Sequence, residues 1–229
     1  MEAIILAGGL GTRLQGVIND VPKPMAPING IPFLEYILKT LKAKKITKVI
    51  LSVGYKWEVI SDYFGKEFEG MLLQYSVEEE PLGTGGAIKK AIALVTQDIF
   101  FIINGDTFFN IDLYKMMQNF KGKSLLRLAL KSMSEFDRYG CVEINKQGFV
   151  TAFTEKGFRK KGNINGGIYL VRHNIFDSFE LPVKFSFEQF VEKSFKVLGA
   201  DGLVCEGYFI DIGIPEDFDR AQVELENYI

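Results

Sequence analysis

The sequence predicts an α/β fold, and three observations support that prediction. Short runs rich in β-branched residues alternate with amphipathic helical patterns through the first half of the chain. Two of these runs, IILA and IFFIIN, are apolar without interruption, as expected for strands that are covered on both faces. With 229 residues and 47% hydrophobic content, the chain is long enough to bury a sizeable core. Because alternating strands and helices imply parallel strands with right-handed crossovers, we predict a Rossmann-like three-layer αβα sandwich with a mixed, mostly parallel central sheet.

The first half contains most of the regular pattern. The predicted strands are Glu2–Ala7, Lys48–Val53, Leu72–Val77 and Ile99–Asn104, and the predicted helices are Phe33–Ala43, Trp57–Phe64 and Thr84–Val95. The first helix has the clearest periodicity, because Phe33, Ile37 and Leu41 fall on one apolar face.

The second half is richer in strands and less regular, which predicts a smaller, strand-rich lobe. The segments are Ser124–Lys131, Cys141–Phe153 with a turn at Lys146–Gly148, Asn165–Val171 and Leu203–Ile212. Ser186 and Gln189 resemble a capping box at the start of a helix, and Pro215 fits the first turn of a terminal helix. We find no linker or repeat, so we expect one compact domain, residues 1–229, made of two lobes.

Composition limits the kinds of partner that the protein can bind and indicates its location in the cell. A formal net charge of −2 and a pI of about 5.6 provide no basic field for nucleic acid or an anionic membrane. Cys141 and Cys205 lie far apart and outside any CxxC motif, so we expect no disulfide and a reducing, cytoplasmic location. The N-terminus shows no secretory signal pattern, and no run of about 18 apolar residues occurs. The single histidine, His173, is expected at the surface and not in a metal site.

A glycine-rich segment follows the first strand directly. Glycines there let backbone N–H groups approach a phosphate closely, since no Cβ intervenes. A Walker loop would require GxxxxGK[ST], which is absent, and a dinucleotide fingerprint would require a glycine at Leu14. A third pattern, GGxGTRL followed by PKP, is present in full at residues 8–14 and 22–24. A tight turn would explain one or two glycines, but it would explain neither Arg13 nor Lys23.

The third pattern resembles the sugar-phosphate nucleotidyltransferases, which join a nucleoside triphosphate to a sugar 1-phosphate and release pyrophosphate. The resemblance implies that the loop wraps the triphosphate, that Arg13 holds the departing phosphates and that Lys23 neutralises charge near the α-phosphate. The nucleotide-binding residues that it implies at this end are Leu6, Ala7, Gly8, Gly9, Gly11, Thr12, Arg13 and Lys23. The physical need is general, because two anionic substrates repel each other and such transfers depend on positioning and electrostatic stabilisation.

Two aspartates are candidate Mg²⁺ ligands. Asp106 follows the apolar strand IFFIIN, where open α/β sheets bind ligands, and magnesium prefers one or two carboxylates with phosphate oxygens. The sequence around it, NGD, is also a good turn. Asp211 in YFIDIGIPE resembles the family's second metal ligand, although it could instead cap the terminal helix. Ile214 stands where relatives usually have threonine, so a hydroxyl is missing there.

Further segments match the family in order and spacing. EPLGTGGA implies that Glu80, Gly83 and Thr84 lie against the nucleoside, although its glycines could simply relieve crowding and Thr84 could be a helix cap. The segments YGCV, EK and NGGIY imply a sugar-phosphate pocket in which Lys156 binds the phosphate. The pocket residues are Gly105, Tyr139, Gly140, Glu155, Lys156, Asn165 and Gly166. Taken alone, an EK pair is usually a surface pair. The charged segment 157–162, where EKG replaces the usual EKP, is a candidate for closing over substrate.

The resemblance covers essentially the whole chain, with a nucleotide-binding half at about 1–110, a sugar-phosphate-binding half at about 111–229 and no C-terminal β-helix domain. The compact members that it most resembles imply GTP and D-glycero-D-manno-heptose 1-phosphate as substrates, with Arg13, Lys23, Asp106 and Lys156 as catalytic residues. The sugar phosphate would attack the α-phosphorus in line, without a protein nucleophile. Mannose 1-phosphate, or a uridylyl or thymidylyl transfer, stays open, as do a metal-dependent glycosyltransferase and a non-catalytic nucleotide-sugar sensor. Dimers are common in the family, but no segment here identifies an interface.

Overall fold

An eight-stranded sheet lies at the centre of the molecule. The computed structural model describes residues 1–9, 21–120, 122 and 124–228. The strands are β1 (Glu2–Leu6), β2 (Pro27–Ile28), β3 (Ile31–Pro32), β4 (Lys48–Val53), β5 (Glu67–Phe68), β6 (Met71–Val77), β7 (Ile99–Asn104), β8 (Thr107–Phe109), β9 (Leu126–Phe136), β10 (Val142–Ile144), β11 (Val150–Phe153), β12 (Arg159–Arg172), β13 (Asp201–Val204) and β14 (Phe209–Asp211). The helices are α1 (Phe33–Ala43), α2 (Trp57–Phe64), α3 (Gly83–Ala91), α4 (Leu113–Met117), α5 (Phe187–Ser194) and α6 (Pro215–Glu224), with 3₁₀ turns at Lys23–Met25, Ile92–Leu94 and Leu225–Tyr228.

The sheet is mixed and mostly parallel, as the sequence predicted. Its strand order is β13-β9-β12-β7-β1-β4-β6-β5. Strands β7, β1, β4 and β6 run parallel, and β13 runs parallel to β9. Strand β12 is antiparallel to both of its neighbours, and β5 is antiparallel to β6. The carboxyl ends of the four central parallel strands therefore open on one edge of the sheet.

Two apolar layers cover the two faces of this sheet and make the three-layer sandwich. Along β1, Ala3 and Ile5 pack in the layer that contains α1, whereas Ile4 packs in the layer that contains α3 and α5. All three side chains are fully buried. Burial on both faces is the reason why β1 is apolar without alternation, as the sequence indicated.

Most predicted elements of the first half are confirmed. Strands β4 and β7 and helices α1 and α2 have the predicted bounds. The third helix differs: it begins at Gly83 and ends at Ala91, and its predicted last turn is a 3₁₀ turn. Tightening of the final turn is common at helix ends.

In the second half, the long-range pairing of strands lengthens what the local pattern predicted. Strands β9 and β12 pair from Arg159 opposite Phe136 to Val171 opposite Leu126, with a register shift between Asn165 and Tyr169. The segment predicted at 203–212 is divided, because β13 joins the main sheet and β14 pairs with β8.

The predicted turns and caps of this half are confirmed. The hairpin between β10 and β11 turns at 146–148, and the side chain of Asn145 accepts the N–H groups of Gln147 and Phe149. Ser186 is the N-cap of α5, since its hydroxyl accepts the N–H of Gln189, and Pro215 opens α6. Among the helices of the described residues, none is both long and apolar enough to cross a membrane.

Candidate functional site

Two cavities adjoin each other at the carboxyl edge of the parallel strands. The strand-end cavity, of about 820 Å³, is lined mainly by residues that follow β1, β4, β6 and β7. The lateral cavity, of about 500 Å³, is lined by residues of β8, β9, β12, β14 and α5 and of the loops between them. Asn104, Asp106 and Glu188 line both cavities. A ligand in one cavity can therefore meet a ligand in the other beside these three side chains.

The residues predicted from sequence divide between the two cavities. The strand-end cavity is lined by Leu6, Gly8, Gly9, Lys23, Gly83, Thr84, Gly105 and Asp106. The lateral cavity is lined by Asp106, Tyr139, Gly140, Lys156, Asn165 and Asp211. Residues from 6 to 211 are thus brought to one edge of the molecule.

Other predicted residues lie away from the cavity walls or outside the described residues. Ala7 is buried, and its N–H bonds the carbonyl of Ser52. Glu80 and Glu155 are exposed, and neither lines a cavity. Gly166 is buried where a Cβ would contact the ring of Phe109 at 2.5 Å, so its lack of a side chain is explained by packing. Gly11, Thr12 and Arg13 fall in 10–20, outside the described residues.

Glycines allow the chain to pass close to itself at the rim of the strand-end cavity. A Cβ on Gly8 would lie 2.8 Å from Oε1 of Glu78 and 3.3 Å from the nitrogen of Gly54. A Cβ on Gly105 would meet the carbonyl oxygen of Leu6, which accepts the N–H of Gly105 at 3.0 Å. This backbone bond ties the turn after β7 to β1, and it positions the neighbouring Asp106.

The glycines of the GTGGA segment serve a different contact. A Cβ on Gly83 would lie 2.6 Å from the carbonyl oxygen of Phe185, and Gly83 has φ +70°. A Cβ on Gly85 would overlap the ring of Phe185, and one on Gly86 would overlap the carbonyl of Val183. Relief of crowding, one of the two interpretations of these glycines, is therefore what the geometry supports for Gly85 and Gly86.

Thr84 links α3 to α5 and is not the N-cap of α3. The N-cap of α3 is Leu82, without a side-chain hydrogen bond. The Thr84 hydroxyl accepts the N–H of Phe187 at 2.8 Å and donates to Oε2 of Glu188 at 2.7 Å. Ser186 donates to the same carboxylate oxygen at 2.9 Å. The Glu188 carboxylate is consequently held between the two cavities by two hydroxyl groups.

Lys23 and Asp106 form an ion pair at the junction. Lys23 begins the 3₁₀ turn Lys23–Met25 and lies between Pro22 and Pro24, whose rings restrict the backbone on both sides of it. Its Nζ lies 2.5 Å from Oδ2 of Asp106, and the Lys23 side chain is only 10% exposed. Since the Asp106 side chain is 36% exposed, its other face stays available to a ligand.

Asp211 carries the second carboxylate of the junction. It lies opposite Thr107 in the β14–β8 pair, and its Oδ1 accepts the N–H of Gly213 at 2.5 Å. Burial, and after it the negative charge of Asp106, raises the pKa of Asp211 above its ordinary value. Lys23 and the Gly213 N–H oppose this rise. The alternative role of Asp211 as a cap of α6 is not observed, because the N-cap is Ile214.

Burial is the main cause of the raised pKa of Asp211, and the negative charge of Asp106 is the second. A cation beside the two carboxylates would offset that second contribution. No group of three or more His, Cys, Asp and Glu side chains suited to a metal occurs within the described ranges. Magnesium requires no such group, because it takes one or two carboxylates together with waters and substrate phosphates. The donor set of Asp106 and Asp211 therefore fits a magnesium ion that arrives with a phosphate ligand.

In the lateral cavity, side chains from the β9–β12 pair hold one another. Asn165 donates to the hydroxyl of Tyr169 at 2.6 Å and accepts the N–H of Gly167 at 3.1 Å. Tyr169 is 1% exposed, and its burial raises the pKa of the phenol well above the ordinary value. The register shift between Asn165 and Tyr169 is thus stabilised by hydrogen bonds, with Gly167 at φ +72°.

Several cavity residues were missed by the sequence analysis. Glu78 and Tyr55 line the strand-end cavity, Glu192 and Arg138 line the lateral cavity, and Glu188 lines both. Arg138 bonds the buried Asp217 and donates to the hydroxyl of Tyr139. Position at a strand end could have indicated Glu78, which directly follows β6. No local signal marks Glu188, because its place depends on the contact of α5 with α3.

The protein has close relatives among known proteins, and the resemblance inferred from the glycine loop is confirmed. The chain is 54% identical over 218 residues to a D-glycero-alpha-D-manno-heptose 1-phosphate guanylyltransferase of Campylobacter jejuni, covering 95% of this chain and 97% of the relative. It is 53% identical to a protein of the same name from Aneurinibacillus thermoaerophilus over the full length of both. The crystal structure of HddC from Yersinia pseudotuberculosis complexed with GMP-PN superposes with a TM-score of 0.85 at 36% identity, covering 100% of this chain and 99% of that chain. A model of the nucleotidyl transferase family matches residues 2–227, and the chain therefore belongs to that family.

Proposed function

We propose that this protein transfers a guanylyl group from GTP to D-glycero-α-D-manno-heptose 1-phosphate, giving GDP-heptose and pyrophosphate. The observation that carries the proposal is the position of Asp106 and its partner Lys23 where the two cavities meet. Two anionic substrates, one in each cavity, would meet there beside the Asp106 carboxylate and the Lys23 ammonium group. The choice of these two substrates is supported by the names of the two relatives that are more than half identical over nearly their whole lengths.

In this proposal the triphosphate lies in the strand-end cavity. Leu6, Gly8 and Gly9 present backbone at its wall, and Lys23 neutralises charge near the α-phosphate as a point cation. Arg13, with Gly11 and Thr12, would hold the departing phosphates. Gly83 and Thr84 would lie against the nucleoside.

The sugar 1-phosphate lies in the lateral cavity. Lys156 would hold the sugar phosphate, and within the described part of the chain its ammonium group forms no ion pair of its own. The Asn165 side chain, already oriented by Tyr169 and Gly167, would contact sugar hydroxyls. Gly140 and Tyr139 would complete the wall, with Glu155 on the hydroxyls from the rim.

Nucleotidyl transferases of this family generally use a divalent metal, and we propose Mg²⁺ held by Asp106 and Asp211. When bound, it would neutralise charge on the transferring phosphate. Lys23 contacts only Oδ2 of Asp106, and a carboxylate has acceptor sites on both oxygens, so Asp106 could hold the metal while Lys23 stays beside the phosphate.

In this reaction the side chains orient the two substrates and neutralise the negative charge of their phosphates. A phosphate oxygen of the sugar 1-phosphate attacks the α-phosphorus of GTP, the new oxygen–phosphorus bond forms, and the bond to the departing pyrophosphate breaks. No protein nucleophile is required, because a phosphate monoester is already anionic near pH 7. The residues contribute orientation and charge, which are the main terms in such transfers.

We further propose that the chain works as one catalytic unit, with a nucleotide half at about 1–110 and a sugar-phosphate half at about 111–229. The lining of the cavities supports this division. The strand-end cavity is lined by residues 6–106 and by Glu188, and the lateral cavity by residues 104–214.

A matrix of pyrophosphate-release assays tests the proposed function. Purified protein with Mg²⁺ is given each of GTP, ATP, UTP, TTP and CTP together with heptose, mannose, glucose or N-acetylglucosamine 1-phosphate. We expect GTP with the heptose 1-phosphate to give the highest kcat/KM. If another pair of substrates gives the highest kcat/KM, the proposed substrates are wrong. If no pair releases pyrophosphate, the protein is not an enzyme of this kind, and a nucleotide-sugar sensor is the alternative.

A further inference from the structure

Arg138 is a cation on the wall of the lateral cavity, in addition to Lys156. It lies in the loop between β9 and β10, directly before Tyr139 and Gly140 of the same wall. Its side chain is 41% exposed, so the guanidinium group is accessible to a ligand in the cavity.

The ionisable groups on this wall are mostly acids. Among the described residues that line the lateral cavity, the cations are Lys156 and Arg138, whereas the acids are Asp106, Asp211, Glu188 and Glu192. A phosphate monoester carries a charge of about −1.5 to −2 near pH 7, so these carboxylates oppose its entry. A divalent metal at Asp106 and Asp211 would offset only two of the four negative charges. Both cations on the wall are therefore needed to make the cavity favourable for a phosphate.

The guanidinium group of Arg138 is held in place from one side. Its Nη2 donates to Oδ2 of Asp217, in the first turn of α6, and to the hydroxyl of Tyr139 at 3.1 Å. The group lies over the Tyr139 ring, 5.4 Å from the ring centroid. An arginine has five N–H donors, and within the described part of the chain the Nε and Nη1 groups of Arg138 donate to no acceptor. A fixed guanidinium group with free donors is well suited to phosphate oxygens.

Asp217 anchors Arg138 without cancelling its charge by itself. Asp217 is 4% exposed, and its Oδ1 pairs with Nη1 of Arg220 at 3.0 Å. Two arginines thus share one buried carboxylate. Because Arg220 remains as a partner, removal of the Arg138 charge does not leave Asp217 as an unpaired buried anion, which would be strongly destabilising.

The contacts of Tyr139 place Arg138 on the side of the cavity where the phosphate is expected. The Tyr139 ring contacts the ring of Phe209, with centroids 6.2 Å apart, and Phe209 lies on β14 two residues before Asp211. In the proposed reaction the sugar phosphate must approach the junction formed by Asp106 and Asp211. Arg138 is therefore on the same part of the wall as the second proposed metal ligand.

We propose that Arg138 is a second binding residue for the phosphate group of the sugar 1-phosphate, and that Asp217 positions it. The inference rests on the proposed function, because it adds a residue to the sugar-phosphate half of the same site. Lys156, which follows β11, and Arg138, which follows β9, would contact the phosphate from two different loops.

Equilibrium binding tests the role of Arg138 separately from turnover. Heptose 1-phosphate is titrated calorimetrically into the protein with Mg²⁺ and a GTP analogue whose α,β-bridge is a methylene group, so that no pyrophosphate can leave. Arg138→Met removes the charge and keeps much of the side-chain length, whereas Arg138→Lys keeps the charge. Lys66→Met is the matched control, because Lys66 is an exposed cation beside edge strand β5 and lines neither cavity.

We expect Arg138→Met to bind the heptose 1-phosphate at least about tenfold more weakly than the wild type, the range for hydrogen bonds to a charged group. Its affinity for the GTP analogue should be unchanged, because that ligand lies in the strand-end cavity. Arg138→Lys should recover part of the loss, and Lys66→Met should match the wild type. The inference is overturned if Arg138→Met binds the sugar phosphate as the wild type does, if it loses both ligands equally, or if the wild type binds no heptose 1-phosphate.

Asp217→Asn tests the positioning role. Asparagine keeps the shape of the side chain, but it replaces a charged partner of Arg138 by a neutral one. Steady-state assays should show a higher KM for the heptose 1-phosphate, with kcat and the KM for GTP unchanged. Loss of stability alone would not produce this selective change. A lower thermal midpoint with both KM values unchanged would show that Asp217 is a structural residue and does not position Arg138.

The two proposals fail in distinguishable ways. Pyrophosphate release from GTP and heptose 1-phosphate, together with equal sugar-phosphate binding by the wild type and Arg138→Met, would exclude Arg138 and keep the proposed function. Weaker sugar-phosphate binding in Arg138→Met, in a protein that releases no pyrophosphate from any pair of substrates, would keep the phosphate site and exclude the enzyme.

Discussion

The strand-end and lateral cavities adjoin each other, yet they are built by different means. The strand-end cavity is framed by residues at the ends of parallel strands, where glycines such as Gly8 and Gly105 let the chain approach itself. The lateral cavity is framed by antiparallel strands, and its polar groups are side chains such as Asn165 and Lys156. We therefore expect substitutions that add volume to disrupt the wall of the strand-end cavity. Substitutions that change polarity or charge should instead disrupt the lateral cavity.

Asp106→Asn affects the point where the two cavities join, and we expect the largest effect there. Asparagine keeps the shape and can still accept a hydrogen bond from Lys23, but it removes the charge that the proposed metal requires. Pyrophosphate release should fall at least about 100-fold, with an unchanged thermal midpoint. Asp62→Asn, on the exposed side of α2, is the matched control. Wild-type turnover in Asp106→Asn would show that the junction is not the reaction centre.

Gly86→Ala tests the tight wall beside the strand-end cavity. The new methyl group would overlap the carbonyl of Val183, which as backbone cannot rotate away. Overpacking of this kind costs about 1–3 kcal/mol in the free energy of unfolding, which urea denaturation measures. Gly157→Ala is the control, because a Cβ there meets nothing within 4 Å. Equal stability of the two variants would contradict the account of these glycines as packing residues.

Lys156→Ala tests the side-chain wall of the lateral cavity. Because the Lys156 ammonium group would hold the sugar phosphate, its loss should lower kcat/KM for the sugar 1-phosphate at least about tenfold. Stability should change little, since Lys156 is exposed. The control is Lys146→Ala at the exposed hairpin turn. If both variants keep wild-type kinetics, Lys156 has no part in binding.

Asp211→Asn should change stability only slightly, and in the direction opposite to Gly86→Ala. The pKa of Asp211 is raised by burial and by Asp106, so the folded state binds a proton more tightly than the unfolded state. Stability therefore falls as pH rises from the ordinary carboxyl pKa through the folded value. Asparagine removes this cost, so the thermal midpoint at pH 7 without metal should rise by a few degrees at most while pyrophosphate release falls. The rise in thermal midpoint should disappear on acidification, because Asp211 is then protonated in both states. A rise that persists at low pH would contradict a raised pKa of Asp211.

The two cavities also differ in how far the sequence predicted them. Gly8, Gly9 and Lys23 were expected at the nucleotide end and line the strand-end cavity, because strand ends follow from local apolar runs. Gly105 was expected in the sugar-phosphate pocket but lines the strand-end cavity as well. Among the acids Glu78, Glu79 and Glu80, however, the sequence analysis chose the third, and only the first two line the cavity. Which of three consecutive acids faces inward depends on the path of the chain between β6 and α3.

The sequence by itself determined the α/β fold, most bounds of the first half and the family. These features depend on local periodicity and on motifs whose glycines, Lys23 and Asp106 lie within short segments. Only the tertiary structure decided that Thr84, Ser186 and Glu188 form one group, that the segment at 203–212 divides between two sheets and that Asp211 and Asp106 line one cavity. These arrangements join residues tens to about a hundred positions apart. Their energies come from pairing and burial that local propensity does not contain.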